Sequence, residues 1–220
     1  MSNRKSDTRG EKALGLFLDR YFYPRLCEIE GFTSTERIYD VENQKAGADL
    51  IISNSAGATI TIDEKAQLHY INDPKPTFAL EVSYINEITL DVSDGWFVNN
   101  SSKTDCYLLV WIDSARTTLV NRLVEEDFNE ITAVLITKKR IIQYLSRLGY
   151  SIEHIKQCAH DLRDSDATNS LELSPTVFLY YSSDGYDEKP INIVIDKKVL
   201  SALAYGTYKV TRESCLKLLK

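Results

Sequence analysis

The sequence predicts a mixed α/β domain, with a central, partly antiparallel β-sheet flanked by helices and an α/β extension after it. Three observations lead there. An amphipathic stretch near the start puts Leu14, Phe17, Leu18 and Tyr21 on one helical face. A strand–turn–strand unit follows between residues 49 and 68. The unbroken apolar run CYLLVWID, 106–113, then reads as a strand buried on both faces.

Taken in order, Thr8 and Glu11 have the S/T-x-x-E spacing of a capping box, so the first helix is predicted to start near Thr8. Pro24 is predicted to end or kink it, or to begin the next turn. Gly15 and Asp19 are four apart and share a stripe beside the apolar face. ERIYDV, 36–41, reads as a short strand, and 49–53 with 58–68 as a hairpin around Ser-Ala-Gly-Ala. FALEVSY, 78–84, alternates cleanly and is a further strand. Residues 86–105 are polar and read as loop with a short helix; 114–133 give no clear element.

AVLITKKRIIQYLSRLGY predicts a short strand running into a helix from Lys138 to Leu148, stopped by Gly149. Ser151 is the expected N-cap of a helix through 165. TVFLYYSS and INIVID are strands around a turn at Asp184-Gly185, and Lys197 to Ala204 is a helix. The tail TRESCLKLLK is read as one more helix. Composition shifts weakly at 165–174. The predicted organisation is a core at 8–113 and an extension at 114–220 packed on it as one globular unit.

Hydrophobic residues make up 43% of the 220-residue chain and charged residues 26%, as in ordinary globular proteins. No apolar run reaches the length of a membrane span, and the charged start MSNRKSDTRGEK lacks the apolar region of a secretory signal. Cys27, Cys106, Cys158 and Cys215 are far apart without a C-x-x-C pair. Free thiols in a reducing cytoplasm are therefore expected rather than disulfides or a zinc site. The net charge of −6 argues against a nonspecific coat on nucleic acid, though an acidic metal site beside a local basic patch is compatible with it.

The stretch Gln44–Gln67, QKAGADLIISNSAGATITIDEKAQ, carries the most chemistry. Asp49 opens the first hairpin strand, and the return strand brings Asp63 and Lys65 back beside it. Period two puts Asp63, Lys65 and Gln67 on one side and Ile60, Ile62, Glu64 and Ala66 on the other. Glu64 is thus expected to meet a cation or a loop in the opposite layer, with a register slip as the way it would exchange with Asp63. Two carboxylates are a fitting ligand pair for Mg²⁺ or Mn²⁺, which keep waters and substrate oxygens in their remaining positions. An adjacent lysine can orient or deprotonate water or stabilise charge on a phosphodiester, and Gln67 can hydrogen-bond either. The competing reading is a structural salt-bridge cluster; charge inside otherwise apolar strands favours function.

Asp49, a spacer, then Asp63-Glu64-Lys65 resembles the PD-(D/E)xK motif of the restriction-endonuclease-like superfamily, with Ala48 where the motif's name has proline. Gln44-x-x-Gly47-x-Asp49 is similar to the Q-x-x-G-x-D form of Mrr-like and Holliday-resolvase-like branches, and Gln67 matches the glutamine two residues after the lysine. Gly15-x-x-x-Asp19 resembles the G-x-x-x-E/D element of the first helix. The resemblance covers about 8–113 and implies a restriction-endonuclease-like core of α-β-β-β-α-β order, with FALEVSY standing where that order has a helix. It implies a Mg²⁺- or Mn²⁺-dependent nuclease acting on DNA. Asp49 and Asp63 would be the metal ligands, Lys65 and Gln67 would join them in catalysis, and Asp19, Glu64, Glu81 and Gln44 would be auxiliary. A homodimer would let single sites cut both strands. The alternative is a module of this fold with weak or lost catalysis, binding nucleic acid or a protein.

Other residues read as structural. Glu11 is a capping residue before it is an acid catalyst. His69, His154 and His160 form no set, Lys138-Lys139-Arg140 with Arg147 is a solvated basic face, and Trp96, Trp111 and Tyr107 are core aromatics.

Overall fold

The computed structural model describes residues 4–165, 168–183 and 187–218. The chain is mixed α/β and divides into two compact units. The first holds the described residues of Met1–Lys75, Lys103–Thr137 and Ala204–Lys220; the second holds Pro76–Ser102 and Lys138–Leu203. The chain thus leaves the first unit twice and returns twice. A division at 113/114 would cut through a strand, Cys106–Ala115, and does not separate the units.

In chain order the strands are β1 (Phe32–Arg37), β2 (Leu50–Asn54), β3 (Thr59–Ala66), β4 (Thr77–Ile85), β5 (Val92–Asp94), β6 (Cys106–Ala115), β7 (Phe128–Thr137), β8 (Ser170–Ser174), β9 (Val177–Tyr181), β10 (Ile191–Asp196), β11 (Gly206–Thr211) and β12 (Cys215–Leu218). The first unit's sheet runs β1-β2-β3-β6-β7-β11-β12, with every neighbouring pair antiparallel except β3 and β6.

Helices α1 (Arg4–Phe17) and α2 (Tyr23–Glu30) supply the inner layer of this unit. α1 begins at Arg4, so Thr8 lies inside the helix and is not its cap. Between the two helices, Leu18–Phe22 form one wider π-helical turn, and Pro24 sits in the first turn of α2. Proline has no N–H to close the usual ladder, and the wider turn takes up the slack there. Gly31, at φ 73, ends α2, its N–H bonding the Cys27 carbonyl at 2.8 Å.

Phe17, Leu18, Phe22 and Leu26 pack with Leu50, Ile52, Ile62, Leu108, Val110, Ala133 and Val210 in one core. The sheet curls around these helices. Phe32, at the start of one edge strand, has its ring centroid 6.2 Å from that of Tyr205, next to the strand pair at the opposite edge. Glu30 at the end of α2 accepts from the Tyr208 hydroxyl at 2.8 Å and pairs with Lys217 at 2.6 Å. The helix end thereby ties down the far side of the sheet.

The second unit is an all-antiparallel sheet of order β5-β4-β10-β9-β8. It carries α4 (Lys138–Arg147), α5 (Ile152–Arg163) and α6 (Lys197–Leu203); α3 (Val41–Lys45) belongs to the first unit. The Ser151 side chain accepts from the His154 N–H, and Gly149 has φ 93, so both predicted helix signals operate. β9 and β10 pair antiparallel as the predicted hairpin requires; Asp184 and Gly185 lie outside the described residues.

Two further expectations are corrected. ERIYDV is strand only to Arg37, and the residues from Val41 form α3, because Asp40 caps the Asn43 N–H at 2.8 Å. The tail is not a helix: β12 pairs with β11, with Cys215 turned to the core and Leu216 and Leu218 alternating outward. Among the described residues no helix is long and apolar enough to cross a membrane.

Candidate metal centre

The hairpin register decides which side chains meet. Leu50 pairs with Ile62, which sets Asp49 opposite Asp63, and the Asp49 N–H donates to the Ile62 carbonyl at 2.9 Å. Gly47 makes this entry possible. With φ 77 it turns the chain out of α3 and into β2, while Ala46 and Gly47 carbonyls accept from Lys103 N–H and the Thr104 hydroxyl at 2.7 and 2.9 Å. The site is thus mounted on central strands and a pinned loop.

Asp63 is nearly inaccessible, its side chain 2% exposed, and its Oδ1 lies 2.5 Å from Lys65 Nζ. The register sets Asp49 across the hairpin from Asp63, and the charge of Asp63 acts on its carboxyl. Burial, then the charge of Asp63, lifts the Asp49 carboxyl to about 6, against the relief given by Lys65 and the Glu64 N–H. For Lys65, burial works against the charged form, but the carboxylates of Asp63 and Asp49, with Glu11 adding to them, outweigh it and raise the ammonium above the ordinary lysine range. Lys65 therefore keeps its proton at neutral pH. In that state it is an electrostatic partner and not a base.

Glu64 points the other way, as the alternation predicts. Its carboxylate accepts from the Tyr23 hydroxyl at 2.5 Å and from both terminal nitrogens of Arg37 at 2.8 and 3.0 Å. Arg37 also holds Asp19 at 2.6 and 2.7 Å. Burial raises Glu64, and Arg37 and Tyr23 oppose that rise. Asp19, expected as an auxiliary acidic residue, is held by Arg37 in this second layer. Gly15 contributes its carbonyl, which accepts from the Arg37 guanidinium at 3.5 Å; an added Cβ there would make only ordinary contact with that group, at 3.6 Å.

β3 ends at Ala66, so Gln67 is past the strand, and its Oε1 accepts from the Lys75 N–H at 3.0 Å. Gln44 donates to the Ile38 carbonyl at 2.8 Å and braces the loop before Asp49. Glu81 stands on β4 in the second unit. The structure therefore brings Asp49, Asp63 and Lys65 together and shows tethers for Gln67, Gln44, Glu64 and Asp19.

The sequence reading missed Arg37 and Tyr23, for which a buried Glu64 was the available signal: a charge in the core requires a partner. It also missed Tyr107, which the parallel register sets beside Asp63. Burial and then the Asp63 charge push the Tyr107 phenol well up, so it stays a neutral hydroxyl.

Among the described residues no three His, Cys, Asp or Glu side chains converge as a ready ligand set. Two carboxylates do converge, and burial first, then the negative charge of Asp63, lifts Asp49. That donor set suits a hard cation that retains its waters, and not zinc. Comparison with protein-family models, with curated proteins and with solved structures finds no match to this chain.

Proposed function

We propose that this chain is a Mg²⁺- or Mn²⁺-dependent nuclease of the PD-(D/E)xK kind, hydrolysing phosphodiesters in DNA. The observation that carries the proposal is the meeting of Asp49, at the entry to β2, with Asp63 and Lys65 on β3, with Asp49 lifted to about 6 by burial and then by the charge of Asp63. The order helix, β1, β2, β3, β6, with β6 parallel to β3, supports a restriction-endonuclease-like core. It departs from that core between β3 and β6, where only the short turn Leu68–Tyr70 stands before the chain enters the second unit.

Asp49 and Asp63 would hold the cation. When bound, the metal supplies Lewis acidity toward a phosphoryl oxygen and toward water. The chain's own residues do the rest. Glu64 N–H fixes the Asp49 carboxylate at 2.8 Å, Asp63 fixes the Lys65 ammonium, and that ammonium offers positive charge to the phosphorane oxygens as they gain charge.

The test is cleavage of plasmid, single-stranded and branched DNA with Mg²⁺ or Mn²⁺, against Asp63→Ala and Lys65→Ala. Activity that both substitutions leave unchanged would exclude the assignment.

A second reading has an observation of its own. Lys65 already neutralises Asp63 at 2.5 Å, as it would in a module that no longer uses metal and binds nucleic acid or a protein. Calorimetry separates the two: Mn²⁺ binding that Asp49→Ala abolishes belongs to the enzyme, and no binding at millimolar Mn²⁺ belongs to the module.

A further inference from the structure

Arg37 lies on β1, in the layer opposite the acidic pair, yet two paths lead from it to Asp49. The first runs through Glu64. Arg37 clamps its carboxylate with two bonds, and the Glu64 N–H in turn holds Asp49 Oδ2 at 2.8 Å. The second runs through the backbone. Arg37 pairs with Leu50, and the next residue, Ile38, donates its N–H to the Asp49 carbonyl at 2.8 Å. The guanidinium itself is fixed from behind by Asp19 on the wide helical turn, and its side chain is only 16% exposed. A planar fork held on two sides has little freedom to rotate.

We propose that Arg37 is a positioning residue for the Asp49–Asp63 site. By locking Glu64, it sets the orientation of the Asp49 carboxylate from the far side of the sheet. The inference rests on the metal-site reading above. Partners that orient metal-ligating side chains typically change metal affinity by roughly 10–100-fold when removed.

The test measures Mn²⁺ affinity by calorimetry at low temperature, with circular dichroism confirming the fold of each variant. Arg37→Lys keeps the charge and removes the fork. The double variant Arg37→Met/Glu64→Gln removes both charges of the buried pair and leaves only the more exposed Asp19 without Arg37, as the fallback if Arg37→Lys does not fold. Val210→Ala, a core truncation on β11, serves as a control for simple loss of stability. The expected result is Mn²⁺ affinity at least about tenfold weaker in the two Arg37 variants and unchanged in the control. Wild-type affinity in a folded Arg37 variant would overturn the positioning role while leaving the metal site standing. An equal loss in the control would also overturn it. No Mn²⁺ binding by the wild-type protein would instead remove the metal-site reading, and this role with it.

Discussion

Asp49 accepts the backbone N–H of Glu64 at 2.8 Å, so one residue serves both sides of the sheet. Its amide steadies the acidic pair, and its carboxylate is anchored among the helices by Arg37 and Tyr23. The motif position between Asp63 and Lys65 is thus a structural pin.

The acidic pair makes stability depend on pH. The folded chain holds the Asp49 proton up to about 6, whereas an unfolded aspartate releases it near 3.8. Between those values the folded state binds more protons, so this site's contribution falls as pH rises through the window and is fully lost above it. Asp49→Asn keeps an acceptor for the Glu64 N–H and removes the charge. It should raise the melting temperature of the metal-free protein at pH 8, by roughly 2–8 °C for a gain of about 1–2 kcal/mol. It should also abolish any stabilisation by Mg²⁺ or Mn²⁺. Thermal melts of both proteins between pH 4 and 8, with and without metal, check this; a metal-free melt at pH 8 no higher than wild type would contradict it.

The Arg37 network should be strongly non-additive. Arg37→Met alone strands the carboxylates of Glu64 and Asp19, and losing one partner of a buried pair costs about 3–5 kcal/mol. Glu64→Gln in the same chain removes the more buried of the two and retains an acceptor for the Tyr23 hydroxyl. The double variant should recover at least about half of the loss in urea unfolding. Additive losses would show that Arg37 and Glu64 do not act as a unit.

What the sequence disclosed follows from range. Period-two alternation in TITIDEKAQ separated Asp63 and Lys65 from Glu64, because a strand's side-chain direction is a local property. The partner of Asp19 is not legible locally, because its surroundings depend on a π-helical turn and on an arginine 18 residues away. β1 was placed too late because FTST is an edge segment without an apolar face, its four central residues exposed. The tail was mistaken for a helix because Leu216 and Leu218 alternate over only four residues. The interleaved units left no local mark, since their boundaries fall at 75/76, 102/103, 137/138 and 203/204, between elements of ordinary composition.

Within the second unit, Gly95 is required by a close approach and not by its dihedral angles. An added Cβ would collide with the Glu81 backbone carbonyl, which is already fixed by the Phe97 N–H at 3.1 Å, while the Gly95 N–H bonds the Val82 carbonyl at 2.8 Å. Backbone cannot step aside as a flexible side chain can. Gly95→Ala should therefore destabilise by about 1–3 kcal/mol through overpacking, with loss of order around the buried Phe97. Hydrogen exchange of β4 and β5 amides reads this directly, and protection unchanged from wild type would refute it.

Lys65 offers the sharpest separation of binding from chemistry. Its ammonium touches Asp63 and stays protonated under the influence of both aspartates, so it competes with any cation for the same negative charge. Lys65→Met should therefore leave Mn²⁺ affinity equal to wild type or tighten it. DNA cleavage should nevertheless fall by about 10²–10³-fold, the loss usual when a charge-stabilising group is removed. Calorimetry and cleavage kinetics on one preparation give both numbers. Weaker metal binding with proportionate loss of activity would mean that Lys65 organises the carboxylates and does not act on the substrate.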